Sequence, residues 1–119
     1  MTLQDCYETL GGDYADVMTR LPGEKFVQKF VLKFLDDGSY DLLETSMAAG
    51  NVEDAFRAAH TIKGMCQNLG FTRLGESGSQ LTELLRGGSM EGCEPLFETV
   101  RRDYALTRSA IEAYKESLT

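Results

Sequence analysis

Apolar residues return every three to four positions along almost the whole chain, and no segment alternates apolar with polar residues over more than a few positions. The first spacing places apolar side chains on one face of an α-helix, whereas a half-buried strand requires the second. Glycine and proline interrupt the pattern at Gly11-Gly12, Pro22-Gly23, Gly50, Gly70 and Gly87-Gly88. These residues are typical of helix ends and turns, so the sequence predicts an all-α fold.

Helix boundaries follow from the residues that flank each periodic segment. Asp13, Ser39 and Asn51 are predicted N-caps, because their side-chain oxygens can accept a hydrogen bond from the first turn of a helix. The predicted helices cover residues 3–10, 14–21, 24–36, 40–49, 52–69 and 71–86, and a last one begins near Pro95. The segment 24–36 carries a broad apolar face, which comprises Phe26, Val27, Phe30, Val31, Phe34 and Leu35. The inward residues of the segment 71–86 are predicted to be Leu74, Leu81, Leu84 and Leu85.

Short connections between successive helices predict antiparallel neighbours. We therefore expect an antiparallel up-and-down four-helix bundle with additional short N-terminal helices. Residues 1–22 are predicted to form a helical extension packed on the bundle, and residues 23–119 to form the bundle domain itself.

The 119 residues carry a net charge of −7, which disfavours nucleic acid or an anionic membrane as the main partner. No apolar run approaches the roughly 20 residues of a membrane span, and the N-terminal segment does not resemble a signal peptide. We expect a cytoplasmic protein, and a monomer because no long uncovered heptad seam is present. Cys6, Cys66 and Cys93 form no CxxC pair, so a metal or thiol site at these cysteines is only a distant third hypothesis.

His60 is the only histidine, so any histidine chemistry must occur there. On a helical wheel of 100° per residue, the apolar residues of the segment 52–69 gather opposite His60, which is therefore expected to be exposed at mid-helix. The residues predicted on the core side are Ala55, Ala58, Ala59, Ile62, Met65, Cys66 and Leu69. The residues within about 60° of His60 on this wheel are Glu53, Phe56, Arg57, Lys63, Gly64 and Gln67.

Two neighbours of His60 favour a functional interpretation over an ordinary exposed histidine. Lys63, three residues later, places an ammonium group beside the imidazole, where it can pair with a phosphoryl group. Gly64, four residues later, costs about 1 kcal/mol relative to alanine inside a helix. That cost is understandable if the bare backbone lets another molecule reach His60. The sequence thus predicts an accessible nucleophile beside a positive charge.

The pattern Ala59-His60, Lys63-Gly64 and Leu69-Gly70 resembles the signature of the histidine-containing phosphotransfer (HPt) domain family. The resemblance covers roughly residues 24–116. It implies that His60 accepts a phosphoryl group from the phosphoaspartate of a receiver domain and passes it to another receiver in two-component signalling. It also implies that the receiver supplies Mg²⁺, that the chain needs no cofactor or metal of its own, and that response regulators or hybrid histidine kinases are the partners.

Within that resemblance, Lys63 and Gln67 are expected to steady the phosphoryl oxygens, and Gly64 to leave room for the partner. Phe56, Arg57 and Glu53 are the predicted docking residues. Phe56 has an equally weighted alternative, in which the N-terminal helices cover it through Tyr14 or Val17.

No autonomous kinase activity is expected, because the glycine pairs lack the lysine and serine of a phosphate-binding loop. Sensor kinase dimerisation helices resemble a different pattern, with an acidic residue directly after the histidine, where this chain has Thr61. The main rival hypothesis is a helical protein-interaction module in which His60 is never phosphorylated. The sequence leaves open the partners, the pathway and the direction of net phosphate flow.

Overall fold

The computed structural model describes all 119 residues and contains seven α-helices with one turn of 3-10 helix. No strand is present, so the predicted all-α class is confirmed. No helix is both long and apolar enough to cross a lipid bilayer. In chain order the helices are α1 (Leu3–Leu10), α2 (Tyr14–Arg20), α3 (Glu24–Lys33), α4 (Ser39–Ala49), α5 (Val52–Leu69), α6 (Thr72–Arg86) and α7 (Cys93–Ser117), and the 3-10 turn is Phe34–Asp36.

Most of the predicted caps are confirmed. The Asp13 side chain accepts a hydrogen bond from the Asp16 backbone N–H at 3.0 Å, and Asn51 accepts one from Asp54 at 3.1 Å. Gly50 and Gly70 end α4 and α5 in the left-handed conformation, with φ of 70° and 71°. A residue without Cβ adopts this conformation without steric cost, which is why glycine stops the helix here.

Some predicted boundaries are wrong by a few residues, whereas the predicted start of the last helix near Pro95 is confirmed. Ser39 is the first residue of α4 and not its cap, because the Asp37 carboxylate already accepts the Ser39 N–H at 2.8 Å. The last helix begins at Cys93 and includes Pro95 in its first turn, where proline is tolerated because no intrahelical N–H is needed. The predicted single helix 24–36 tightens to a 3-10 turn from Phe34 onward.

Two predicted apolar faces are wider than the surface that their neighbours cover. Phe26 and Phe30 are 39% and 36% exposed, whereas Val27 and Val31 of the same helix are fully buried. Leu84 is 38% exposed, although Leu81 and Leu85 are buried. Helical spacing states which residues share a face, but only the packing of other helices decides how much of that face is covered.

Successive helices from α4 to α7 pack against one another, and α1 packs along α7. The rings of Tyr40 in α4 and Tyr104 in α7 stack with centroids 4.0 Å apart, which joins these two helices directly. The core includes residues of the N-terminal segment, because Leu3, Cys6, Tyr7 and Leu10 of α1 are all buried in it. The division of the chain at residue 22 stays a prediction.

Candidate functional site

Helix α5 carries the candidate site and buries its opposite side. Its N-terminus is fixed by Asn51 and its C-terminus by Gly70, as the sequence predicts. His60 lies in the middle and is exposed to solvent. The buried residues are Ala55, Ala58, Ala59, Ile62, Cys66 and Leu69, so the predicted core side is confirmed except for Met65, which is half-buried.

Lys63, Gly64 and Gln67 lie on the same side of α5 as His60. A Cβ atom built on Gly64 would meet no other atom within 4 Å, so nothing inside this protein requires a glycine there. Lys63 is half-buried and Gln67 is exposed. The helix therefore presents an imidazole, an ammonium group and an amide beside a stretch of bare backbone.

Phe56 lies one turn before His60 and is half-buried under α6. Its ring centroid is 5.9 Å from that of His60, and the Arg86 guanidinium lies 5.0 Å from the Phe56 centroid. An open cavity of about 480 Å³ adjoins this ring. The N-terminal helices contact other parts of the molecule: Tyr14 packs edge-on against Tyr7, and Val17 lies beside Gly70. Arg86, and not Tyr14 or Val17, is therefore the residue that the structure places over Phe56.

Arg57 and Glu53, the other predicted docking residues, form an exposed ion pair with each other. The guanidinium is 2.8 Å from the Glu53 carboxylate and 3.8 Å from that of Asp54. Both side chains are more than half exposed, at 66% and 81%. Their contact with a partner stays a prediction, and a partner that binds Arg57 must compete with Glu53.

Two residues of α6 that the sequence analysis did not single out also lie near His60. Glu83 binds Arg86 through both carboxylate oxygens, with distances of 3.1 Å and 3.2 Å. The Arg86 hydrogen bonds and charge lower the pKa of Glu83, and electrostatic interactions with Lys63 and His60 lower it further. The spacing of three residues predicts the ion pair itself. Only the packing of α6 on α5 reveals that it adjoins His60.

The C-terminal end of α5 is held by the N-terminal helices. Arg20 donates hydrogen bonds of 3.0 Å to the carbonyl oxygens of Gln67 and Asn68, and Tyr7 donates one of 2.6 Å to that of Leu69. The Asp13 N–H donates to the Gly70 carbonyl at 2.8 Å. The last carbonyl groups of a helix have no partner within it, so these contacts satisfy groups that otherwise face water.

The cysteines are dispersed and buried in α1, α5 and α7. Burial raises the pKa of the Cys6 thiol to about 11 and that of Cys66 to about 12. No three histidine, cysteine, aspartate or glutamate side chains come together in a way that could hold a metal ion.

The structure thus shows an all-helical chain with an exposed histidine on a polar helix face. In a comparison with known families, the family model of the Hpt domain matches residues 30–115. The chain therefore belongs to the Hpt domain family, whose members transfer phosphoryl groups through a histidine in two-component signalling and interact with receiver domains and histidine kinases. No curated protein and no solved structure matches the chain.

Proposed function

We propose that the protein is a phosphorelay carrier in which His60 accepts a phosphoryl group from a receiver-domain phosphoaspartate and passes it to another receiver. The observation that carries this proposal is the exposure of the only histidine, inside the residues that match the Hpt family. The alternative is a helical protein-interaction module in which His60 is not phosphorylated.

The transfer requires little chemistry from the carrier itself. The Nε2 lone pair of a neutral His60 ring attacks phosphorus, and an N–P bond forms while the bond from phosphorus to the aspartate oxygen breaks. The electron pair of the broken bond remains on the aspartate carboxylate, and Nδ1 of His60 keeps its proton. Passage to the next receiver is the same step in reverse, with the N–P bond broken.

Lys63 and Gln67 assist this step in the proposal, and Gly64 gives access to it. Lys63 offers a positive charge to the phosphoryl oxygens, and the Gln67 amide offers a hydrogen bond to them or to the partner. Gly64 supports close approach, because the space where its Cβ would lie is open. Mg²⁺ is expected from the receiver, where it would neutralise charge on the phosphoryl group.

The receiver is proposed to dock over the polar face of α5, with Phe56 as an apolar contact at the rim and Arg57 and Glu53 beside it. The half-buried ring of Phe56 supports this role, because partly exposed aromatic residues are common anchors of protein interfaces. We further infer that α4 to α7 form an antiparallel four-helix bundle, and that the protein works as a cytoplasmic monomer.

Transfer of radiolabel from phosphorylated receiver domains tests the proposal. We expect label on the protein that is labile in acid, stable in alkali and absent from His60→Gln. The side chain is exposed, so this variant should retain the unfolding midpoint of the unchanged protein. Absence of label with every receiver of the host would leave the interaction module as the better explanation.

A further inference from the structure

The ion pair between Glu83 and Arg86 lies beside His60, although both residues belong to another helix. Each side chain is about half exposed, at 58% for Glu83 and 51% for Arg86. The guanidinium also lies over the Phe56 ring, at 5.0 Å from its centroid. This arrangement fixes the orientation of Arg86 from two sides, by a carboxylate and by an aromatic face.

The packing of α6 on α5 places this ion pair beside the turn of α5 that runs from Phe56 to His60. A Cβ on Gly78 would lie 3.9 Å from the Lys63 backbone nitrogen, and eight residues later Arg86 lies over Phe56. The two helices therefore run in opposite directions, with Gly78 opposite Lys63 and Arg86 opposite Phe56. Glu83 is about 7.5 Å along α6 from Gly78, which brings it between these two levels, where His60 stands.

Helix α6 thus adds one negative group, Glu83, near His60 and one positive group, Arg86, over the neighbouring ring of Phe56. Lys63 and Arg86 attract a phosphoryl dianion, whereas Glu83 repels it. In the unphosphorylated protein Glu83 and Arg86 neutralise each other. A phosphoryl group on His60 would compete with the Glu83 carboxylate for the same guanidinium.

We propose that this ion pair sets how long the phosphoryl group stays on His60, with Arg86 retaining it and Glu83 promoting its departure. The inference rests on the proposed phosphorylation of His60. In hydrolysis, the oxygen of a water molecule forms a bond to phosphorus while the N–P bond breaks, the electron pair returns to the ring nitrogen, and inorganic phosphate is released. Protonation of the ring assists this step. A carboxylate beside the ring favours protonation, and a guanidinium on the phosphoryl oxygens disfavours it.

The lifetime of phosphohistidine measures the effect without a receiver. Phosphoramidate phosphorylates accessible histidines directly, so the protein is loaded with it, freed of reagent and followed by phosphate release at neutral pH. We expect Glu83→Gln to lengthen the lifetime about two- to fivefold and Arg86→Gln to shorten it by a similar factor, since exposed charge pairs have effects of this size. At high salt, the lifetimes of both variants should approach that of the unchanged protein, because salt screens the charges of exposed side chains.

Helix α7 offers a matched control. Glu98 and Arg101 form an ion pair of the same spacing, at 3.6 Å, and Arg101 lies 4.9 Å from the centroid of Phe97. The main neighbours of α7 are α1 and α6, not α5. Glu98→Gln and Arg101→Gln therefore remove the same kind of interaction away from His60 and should leave the lifetime unchanged.

The outcomes separate this inference from the proposed function. Unchanged lifetimes in both α6 variants, or the same change in the α7 variants, overturn the role of the ion pair, even if receivers load His60 normally. If no receiver transfers label but the α6 variants alter the lifetime as expected, the electrostatic role stands and the carrier function fails. A shorter lifetime in Glu83→Gln overturns the proposed repulsion.

Discussion

The C-terminal turn of α5 and the turn that carries His60 belong to one helix, yet their surroundings are opposite. At the C-terminal turn, Arg20, Tyr7 and Asp13 bind four successive carbonyl oxygens. Around His60, the polar side of the helix faces solvent, and Gly64 leaves part of the backbone bare. The difference suggests how a helix can keep one side open for a partner. Its position is fixed by the buried alanine side and by its end, so the exposed turn does not have to contribute to stability.

The largest expected effect on stability lies at the C-terminal turn of α5, which the N-terminal helices cover. Tyr7 is fully buried, packs against Tyr14 and Phe71 and donates a hydrogen bond to the Leu69 carbonyl. Tyr7→Ala should lower the free energy of unfolding by about 3–5 kcal/mol, the usual cost of truncating a buried aromatic residue. Urea unfolding, monitored by circular dichroism, measures this loss of free energy. Tyr7→Phe, which removes only the hydroxyl, should cost about 1–3 kcal/mol, and an equal loss in both variants would assign the effect to the hydrogen bond alone.

A smaller effect is expected where the N-terminal segment touches the end of α5. A Cβ on Gly12 would lie 2.7 Å from the Gly70 carbonyl oxygen and 2.8 Å from the Tyr7 ring. Gly12→Ala should therefore destabilise the protein by about 1–3 kcal/mol, because backbone and a buried ring must shift. The thermal unfolding midpoints of Gly12→Ala and of the unchanged protein measure this effect. A midpoint as high as that of the unchanged protein would show that Gly70 and Tyr7 make room for the added methyl group without a loss of stability.

Arg20 tests how much the carbonyl contacts themselves contribute. Arg20→Gln removes the hydrogen bonds to Gln67 and Asn68, and we expect a loss of about 1 kcal/mol or less because the side chain is partly exposed. Amide hydrogen exchange should become faster in the last turn of α5 and remain unchanged near Asn51. Arg57→Gln is the control on the open side, and similar acceleration in that variant would remove the contrast between the two regions.

The smallest expected effect on stability has the opposite sign and lies at the open side. Gly64→Ala should stabilise the protein by up to about 1 kcal/mol, since alanine favours the helix and its Cβ meets nothing. In the same variant, phosphoryl transfer from a receiver should become slower, because the methyl group occupies space that the partner needs. Transfer at the original rate would show that the partner does not approach over Gly64.

The sequence predicts the elements of this molecule better than their contacts. Asn51 and Gly70 delimit α5 as expected, because caps and left-handed glycines act within one turn of the chain. The exposure of His60 also follows from local spacing. The exposure of Phe26 and Phe30 does not, because the area of α3 that is covered depends on where α5 and α7 pack.

The candidate site shows the same difference between residues placed by their own helix and residues placed by the packing of another helix. Lys63, Gly64 and Gln67 are near His60 because the helix places them there, so their positions could be predicted. Glu83 and Arg86 come from a segment more than 20 residues later, and their proximity to His60 depends on the antiparallel packing of α6. A residue that reaches a site through tertiary packing leaves no periodic signal in the sequence.

The buried cysteines give this protein three internal probes of local opening. Cys6, Cys66 and Cys93 lie in α1, α5 and α7, and burial raises the pKa of all three thiols. The thiolate is the nucleophile that attacks an alkylating reagent, so each cysteine becomes reactive mainly when its own helix separates from the core. Mass spectrometry of partially alkylated protein would therefore rank the opening rates of the three helices in a single experiment, without any engineered label.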